Sequence, residues 1–63
     1  MADLSAVLVA ARDEEAAIAR TVEALRAAFP DAEVIVADDG SRDGTAAAAE
    51  LAGARVLSFP ARG

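Results

Sequence analysis

The apolar positions of the chain come in short runs separated by polar turns, and the period changes from run to run. Leu4 to Ala10 is an apolar stretch of strand length without alternation, the pattern of a strand covered on both faces. From Glu14 to about Phe29 the period lengthens, and Ile18, Val22, Leu25 and Phe29 recur at spacings of four, three and four, which puts them on one face of a helix. Glu15, Arg20, Glu23 and Arg26 fall mostly elsewhere and read as a solvated face, with Arg20–Glu23 and Glu23–Arg26 at helix-pair spacing. Pro30-Asp31 ends this helix, because proline lacks the N–H and disfavours helical geometry in the residue before it. Glu33 to Ala37 is a β-branched second strand, and Thr45 to Ala52 is an Ala-rich helix with Gly53 where a left-handed C-terminal residue belongs. Arg55 to Phe59 reads as a third strand, and Pro60 to Gly63 as the start of a loop.

Strand, helix, strand, helix, strand predicts an α/β fold: two right-handed crossovers and a three-stranded parallel sheet of order 3-2-1. This β-α-β-α-β unit is half of a doubly wound, Rossmann-like nucleotide-binding domain, and residues 1–63 form one partial domain of that kind. In that order the first strand expects another strand on its free side. An unpaired apolar edge there predicts self-association or a missing C-terminal segment that covers it.

Composition narrows the chemistry. A chain of 63 residues buries only about 60% of the surface its unfolded form exposes, so stability is marginal. There is no Cys and no His, which leaves carboxylates, Arg, Ser and Thr as the reactive groups. A net charge of −5, with six basic residues scattered among eleven acids, speaks against a nucleic-acid partner. No apolar run reaches the roughly 18 residues of a membrane span, and Met1-Ala2-Asp3 lacks a basic signal-peptide start, so a cytoplasmic location is expected.

The chemistry concentrates at the exit of the second strand, in Asp38-Asp39-Gly40-Ser41-Arg42-Asp43-Gly44-Thr45. Open α/β sheets bind ligands at such strand-to-helix turns. Asp39, Ser41, Asp43, Gly44 and Glu50 match the spacing of an EF-hand calcium loop, but such a loop is entered from a helix, and Ala47 leaves its ninth position without an acid. A dinucleotide site would need a Gly-rich turn after the first strand, where Ala10-Ala11-Arg12-Asp13-Glu14 instead offers acids to a pyrophosphate. A third reading is a nucleoside site. The carboxylate of Asp38 or Asp39 would accept from a uracil-like imide or from ribose hydroxyls, and Gly40 would admit a close backbone. Arg12 would pair with Asp38 or Asp39, or lie against the base. Asp13 is a candidate cap for the first helix and Asp43 for the second, with Glu14 and Glu15 suited to the positive end of the helix dipole.

Val7-Leu8-Val9-Ala10-Ala11-Arg12-Asp13-Glu14-Glu15, followed by Val34-Ile35-Val36-Ala37-Asp38-Asp39-Gly40-Ser41-Arg42-Asp43-Gly44-Thr45, resembles the start of a family 2 glycosyltransferase of GT-A fold. Ala10, Asp13 and Arg42 depart from the usual proline, asparagine, and threonine or serine of that pattern. The resemblance implies a nucleotide-sugar donor, usually a UDP- or GDP-sugar. Its nucleoside contacts match Ala10, Ala11, Arg12, Glu14, Asp38 and Asp39, with Asp39 against the base. It also implies a divalent cation, Mg²⁺ or Mn²⁺, held by an Asp-x-Asp motif, and an acceptor-side catalytic base; neither has a counterpart in this chain. The expected function is therefore the donor-binding half of a sugar transferase, inactive alone. The alternative is a noncatalytic module that binds a nucleotide or a protein.

Overall fold

The structure, a computed structural model, describes residues 5–60. In chain order it contains β1 (Ala6–Ala11), α1 (Glu15–Ala28), β2 (Glu33–Asp39), α2 (Thr45–Ala52) and β3 (Arg55–Phe59). Leu4, expected to open the first strand, and Ala61 to Gly63, expected in a loop, lie outside the described residues. The strands form one parallel sheet in the order β1-β2-β3, with Val9 beside Val36 and Val36 beside Val56. β2 runs two residues beyond the expected end, so Asp38 and Asp39 belong to the strand and the turn begins at Gly40.

The helices pack on each other and on the sheet, and their crossovers follow one another in the same direction along it. Right-handed crossovers of that kind lay both helices on one face. Strand pleating assigns that face: Val34, Val36 and Asp38 of β2 are buried under the helices. The core consists of Ala11, Ile18, Val22, Val34, Val36, Ala49 and Ala54, with Val9, Leu25, Ala48, Ala52 and Val56 packed around it. Ile18 and Val22 from α1 are, with Val36, its most completely buried large apolar side chains, each contributing about 1.5–3 kcal/mol by burial.

The opposite face is bare, which corrects the expectation of a first strand covered on both sides. Leu8 is 67% exposed, and Leu57 and Phe59 are exposed on β3. The reason is topological, since no element among the described residues crosses to the other side. Both outer strands also present a free edge, rather than the first strand alone.

Two further expectations change at α1. Phe29 is the residue that ends the helix and is exposed; its N–H donates to the Leu25 carbonyl at 2.8 Å. Arg26 does not pair with Glu23. Its guanidinium donates to the Ala52 carbonyl at 2.9 Å and so satisfies the end of α2. Gly53 adopts φ 107° at that same end, as its position in the sequence predicts. The ion pair seen among the described residues is Arg55–Glu33, at 3.9 Å and exposed.

Candidate functional site

The C-terminal ends of β1 and β2 lie side by side, with Ala11 paired to Asp38 and Ala10 to Ala37. Alternation then separates the acidic pair. Asp38 shares the helix-covered face with Ala11, and both are buried. Asp39 points the other way and is exposed at the tip of β2, beside Phe59 of β3 on the bare face. Ala10 is exposed on that bare face too.

Asp38 is structural in its contacts: its carboxylate accepts from the Ser41 N–H at 3.2 Å and so closes the turn after β2. Gly40 within that turn has φ 71°, a left-handed conformation open to glycine at no steric cost. Arg12, just past β1, is exposed and forms no ion pair among the described residues, so the pairing with Asp38 or Asp39 considered above is not made. Arg12 and Asp39 therefore stand at the C-terminal ends of β1 and β2 with side chains uncommitted among the described residues.

The side chains of Asp13, Glu15, Ser41, Asp43 and Thr45 are committed across the two turns. Asp13 sits at φ 51°, a left-handed conformation that aspartate tolerates better than most residues. Its N–H donates to Ser41 Oγ at 2.8 Å, and its carboxylate accepts from the Arg42 N–H at 2.8 Å. This corrects its expected role, because Asp13 caps no helix. The N–H groups that open α1 are satisfied from the other turn. Glu14 donates its N–H to Thr45 Oγ1 at 2.8 Å, and Glu15 donates to Asp43 Oδ2 at 3.2 Å. In return Gly44 donates to Glu15 Oε1 at 3.1 Å.

Asp43 also accepts from the Thr45 N–H at 3.0 Å and from the Thr45 hydroxyl through Oδ1. It thus serves the starts of both helices, where the sequence suggested only the second. Its carboxyl is held below the ordinary value of 3.8, chiefly by the Thr45 hydroxyl; desolvation, the next largest influence, opposes this, and the N–H groups of Thr45 and Glu15 add to the lowering. A Cβ at Gly44 would stand 2.8 Å from Glu15 Oε2, so a larger residue there would displace the end of that exposed side chain.

Glu14 contributes backbone rather than side chain to this arrangement, since its carbonyl accepts from the N–H groups of Ala17 and Ile18. An open depression lined by Asp13, Glu14, Glu15, Ala16, Ala17 and Asp43 lies along the clasped turns and excludes Arg12, Asp39 and Gly40. Its acids make it a poor seat for a phosphate. Among the described residues no group of three or more acids is placed to hold a metal ion. The EF-hand spacing fails structurally as well, because its loop is entered from β2 and Asp43 turns to backbone N–H groups. Neither this spacing nor the turn supplies a seat for Mg²⁺ or Mn²⁺.

Phe59 is the residue at these strand ends that the linear pattern does not single out. The parallel register alone places it next to Asp39. The cross-turn hydrogen bonds are equally silent in the sequence, since they join residues 28 to 31 positions apart.

Comparison with known proteins gives concordant similarities. The family profile described as Glycosyl transferase family 2 matches residues 6–63. The protein RfbJ of Shigella flexneri is 40% identical over 58 residues, covering 92% of this chain and 45% of RfbJ. Among solved structures, a mycobacterial protein superposes with a TM-score of 0.75 at 33% identity, over 97% of this chain and 23% of its own. Glucosyl-3-phosphoglycerate synthase from Mycobacterium tuberculosis, solved with phosphoglyceric acid, gives 0.74 at 32% identity, over 95% of this chain and 25% of its own. The chain thus spans less than half the length of RfbJ and about a quarter of each solved neighbour.

Proposed function

The chain belongs to glycosyl transferase family 2, as the N-terminal part of its GT-A fold, and from that premise we propose that residues 1–63 form the nucleotide-binding half of an enzyme that transfers a sugar from a nucleotide-activated donor. The donor is a UDP- or GDP-sugar. Its nucleoside lies across the C-terminal ends of β1 and β2, against Ala10, Ala11, Arg12, Glu14, Asp38, Asp39 and Gly40. The observation that supports this best is the division of labour among the acids. Asp13, Glu15, Asp38 and Asp43 accept from backbone N–H groups, while Asp39 is exposed at the strand tip without such a partner among the described residues.

An ionised carboxylate at that tip accepts hydrogen bonds, which suits the imide N–H of uracil, the corresponding edge of guanine, or ribose hydroxyls. Arg12, beside it on the neighbouring strand end, supplies positive charge or a flat face to the base. The diphosphate requires a cation to offset its charge where carboxylates are near, and in the family reading a Mg²⁺ or Mn²⁺ would do so from ligands outside this chain. With neither cation ligands nor an acceptor-side base, the chain by itself binds donor and transfers nothing.

This reading is tested by titrating the chain with UDP, GDP, NAD and Ca²⁺ and following the backbone amides of Ala11, Arg12, Asp39 and Gly40. Saturable shifts with UDP or GDP are expected, weakened at least tenfold (about 1.4 kcal/mol) in Asp39→Ala. Shifts with Ca²⁺ alone, spread from Asp39 to Glu50, would overturn it. A noncatalytic module remains the second reading, favoured by the bare sheet face, which offers a surface to a partner protein or a second copy.

A further inference from the structure

The turns that follow β1 and β2 are tied by five side chain–backbone hydrogen bonds that cross between them. Asp13 N–H to Ser41 and Arg42 N–H to Asp13 form one reciprocal pair; Glu15 N–H to Asp43 and Gly44 N–H to Glu15 form another; Glu14 N–H to Thr45 lies between. Asp43 is the hub. It alone receives N–H groups from both helix starts, and the Thr45 hydroxyl that donates to it simultaneously accepts from Glu14. Thr45 is fully buried, so its hydroxyl has no water to fall back on if either partner is lost.

Such a network exceeds what the helices need. A cap satisfies only one of the four N–H groups a helix start leaves open, but the Asp13–Ser41 and Arg42–Asp13 bonds serve no helix N–H, and each turn could supply its own cap. Here each turn is instead satisfied by the other, so the relative position of the β1–α1 and β2–α2 turns is fixed. Arg12 precedes Asp13 directly, and Asp39 stands four residues before Asp43. The spacing between Arg12 and Asp39 is therefore set by this clasp and by the final Ala11–Asp38 pairing of the sheet.

We infer that Asp43, acting with Thr45 and Glu15, is a positioning residue for nucleotide binding: it touches no ligand and holds Arg12 and Asp39 in a fixed relation to each other. The inference rests on the donor-site reading above. It adds that affinity depends on residues outside the donor site, through the fraction of molecules in which the turns are clasped. If loss of the Asp43 carboxylate leaves the turns correctly placed about a tenth of the time, apparent affinity falls about tenfold.

The charged and titratable groups around the hub are Asp13, Glu14 and Glu15 on the first turn and α1, and Arg42 on its own turn. Replacing Asp43 by Ala leaves these in place, whereas Thr45→Ser keeps the hydroxyl and should keep the clasp. The experiment is a UDP titration of the full chain and of Asp43→Ala, Glu15→Ala and Thr45→Ser, paired with amide hydrogen exchange. For Asp43→Ala the expected result is faster exchange at Glu15 and Thr45, unchanged protection at Val22 and Val36, and affinity down about tenfold. Thr45→Ser should match the wild type in both readouts.

Glu15→Ala, an exposed site that removes only the Gly44 contact, gives the milder form of the same result if Asp43→Ala fails to fold. Faster exchange in the turns with undiminished UDP affinity, in either variant, would overturn the inference while leaving the donor site standing. Absence of UDP and GDP binding in the folded wild type would overturn the donor-site reading, and this inference with it.

Discussion

Asp43 uses both carboxylate oxygens on donors from two helices, and that geometry holds its carboxyl in the ionised form. The consequence for stability has a definite sign. Its folded pKa lies below the ordinary 3.8, so the unfolded chain takes up its proton first as pH drops. The stabilisation is complete above that ordinary value and is lost as pH falls through the lower folded value. Wild type should therefore exceed Asp43→Asn in urea midpoint at about pH 6, and the gap should narrow progressively as pH falls below 3.8. A gap that persists in acid would assign the effect to shape rather than to charge.

Gly53 is a second residue whose identity the backbone dictates. At φ 107° a Cβ is strained, and there it would also collide with the Arg26 guanidinium that satisfies the end of α2. Gly53→Ala should cost about 1–3 kcal/mol in chemical denaturation, a large loss for a domain of this size. The two glycines of the acidic turn differ in kind. Gly40 answers to a positive φ, whereas a Cβ at Gly44 would displace only the end of the Glu15 side chain.

At the scale of elements, the helices were legible because their burial follows a period. Ile18 and Val22 face the core as their spacing requires, Leu25 lies at its margin, and Pro30 stops α1. α2, of Thr45–Ala52, matches its expected bounds because Gly53 punctuates it. Phe29 was misplaced by the same reasoning: helical spacing extends to it, but the helix ends one residue earlier and its ring is left at the surface. Charge spacing along α1 was also a poor guide. Arg26 finds a carbonyl of α2 better placed than Glu23, since a helix end offers carbonyls with no intrahelical partner. The capping of α1 illustrates a general limit of local reading. An acid just before a helix looks like its cap, yet the turn takes Asp13 into a left-handed conformation, and the helix is capped by residues of the other turn instead.

For the molecule as a whole, one sheet face carries the core and the other carries Leu8, Leu57 and Phe59 in the open. Substitutions on the bare face should therefore be almost free for folding. Leu8→Lys is expected to change unfolding free energy by no more than about 0.5 kcal/mol and to reduce concentration-dependent association measured by sedimentation. A loss of several kcal/mol would mean that Leu8 is covered in solution by a second copy of the chain.

The element order, the parallel sheet and the crowding of acids at the exit of β2 were all determined by the sequence itself. Hydrophobic period, proline and glycine act locally, and right-handed crossovers leave few topologies for a β-α-β-α-β chain. The family resemblance was legible for the same reason, since the matching residues are contiguous at the ends of β1 and β2. Only the tertiary structure decided which acids are occupied. The pleat buries Asp38 and exposes Asp39, and the parallel register brings Phe59 to the latter. The helix starts are brought together by the tertiary fold, so Asp13, Glu15 and Asp43 find partners 28 or 29 residues away that no local pattern announces.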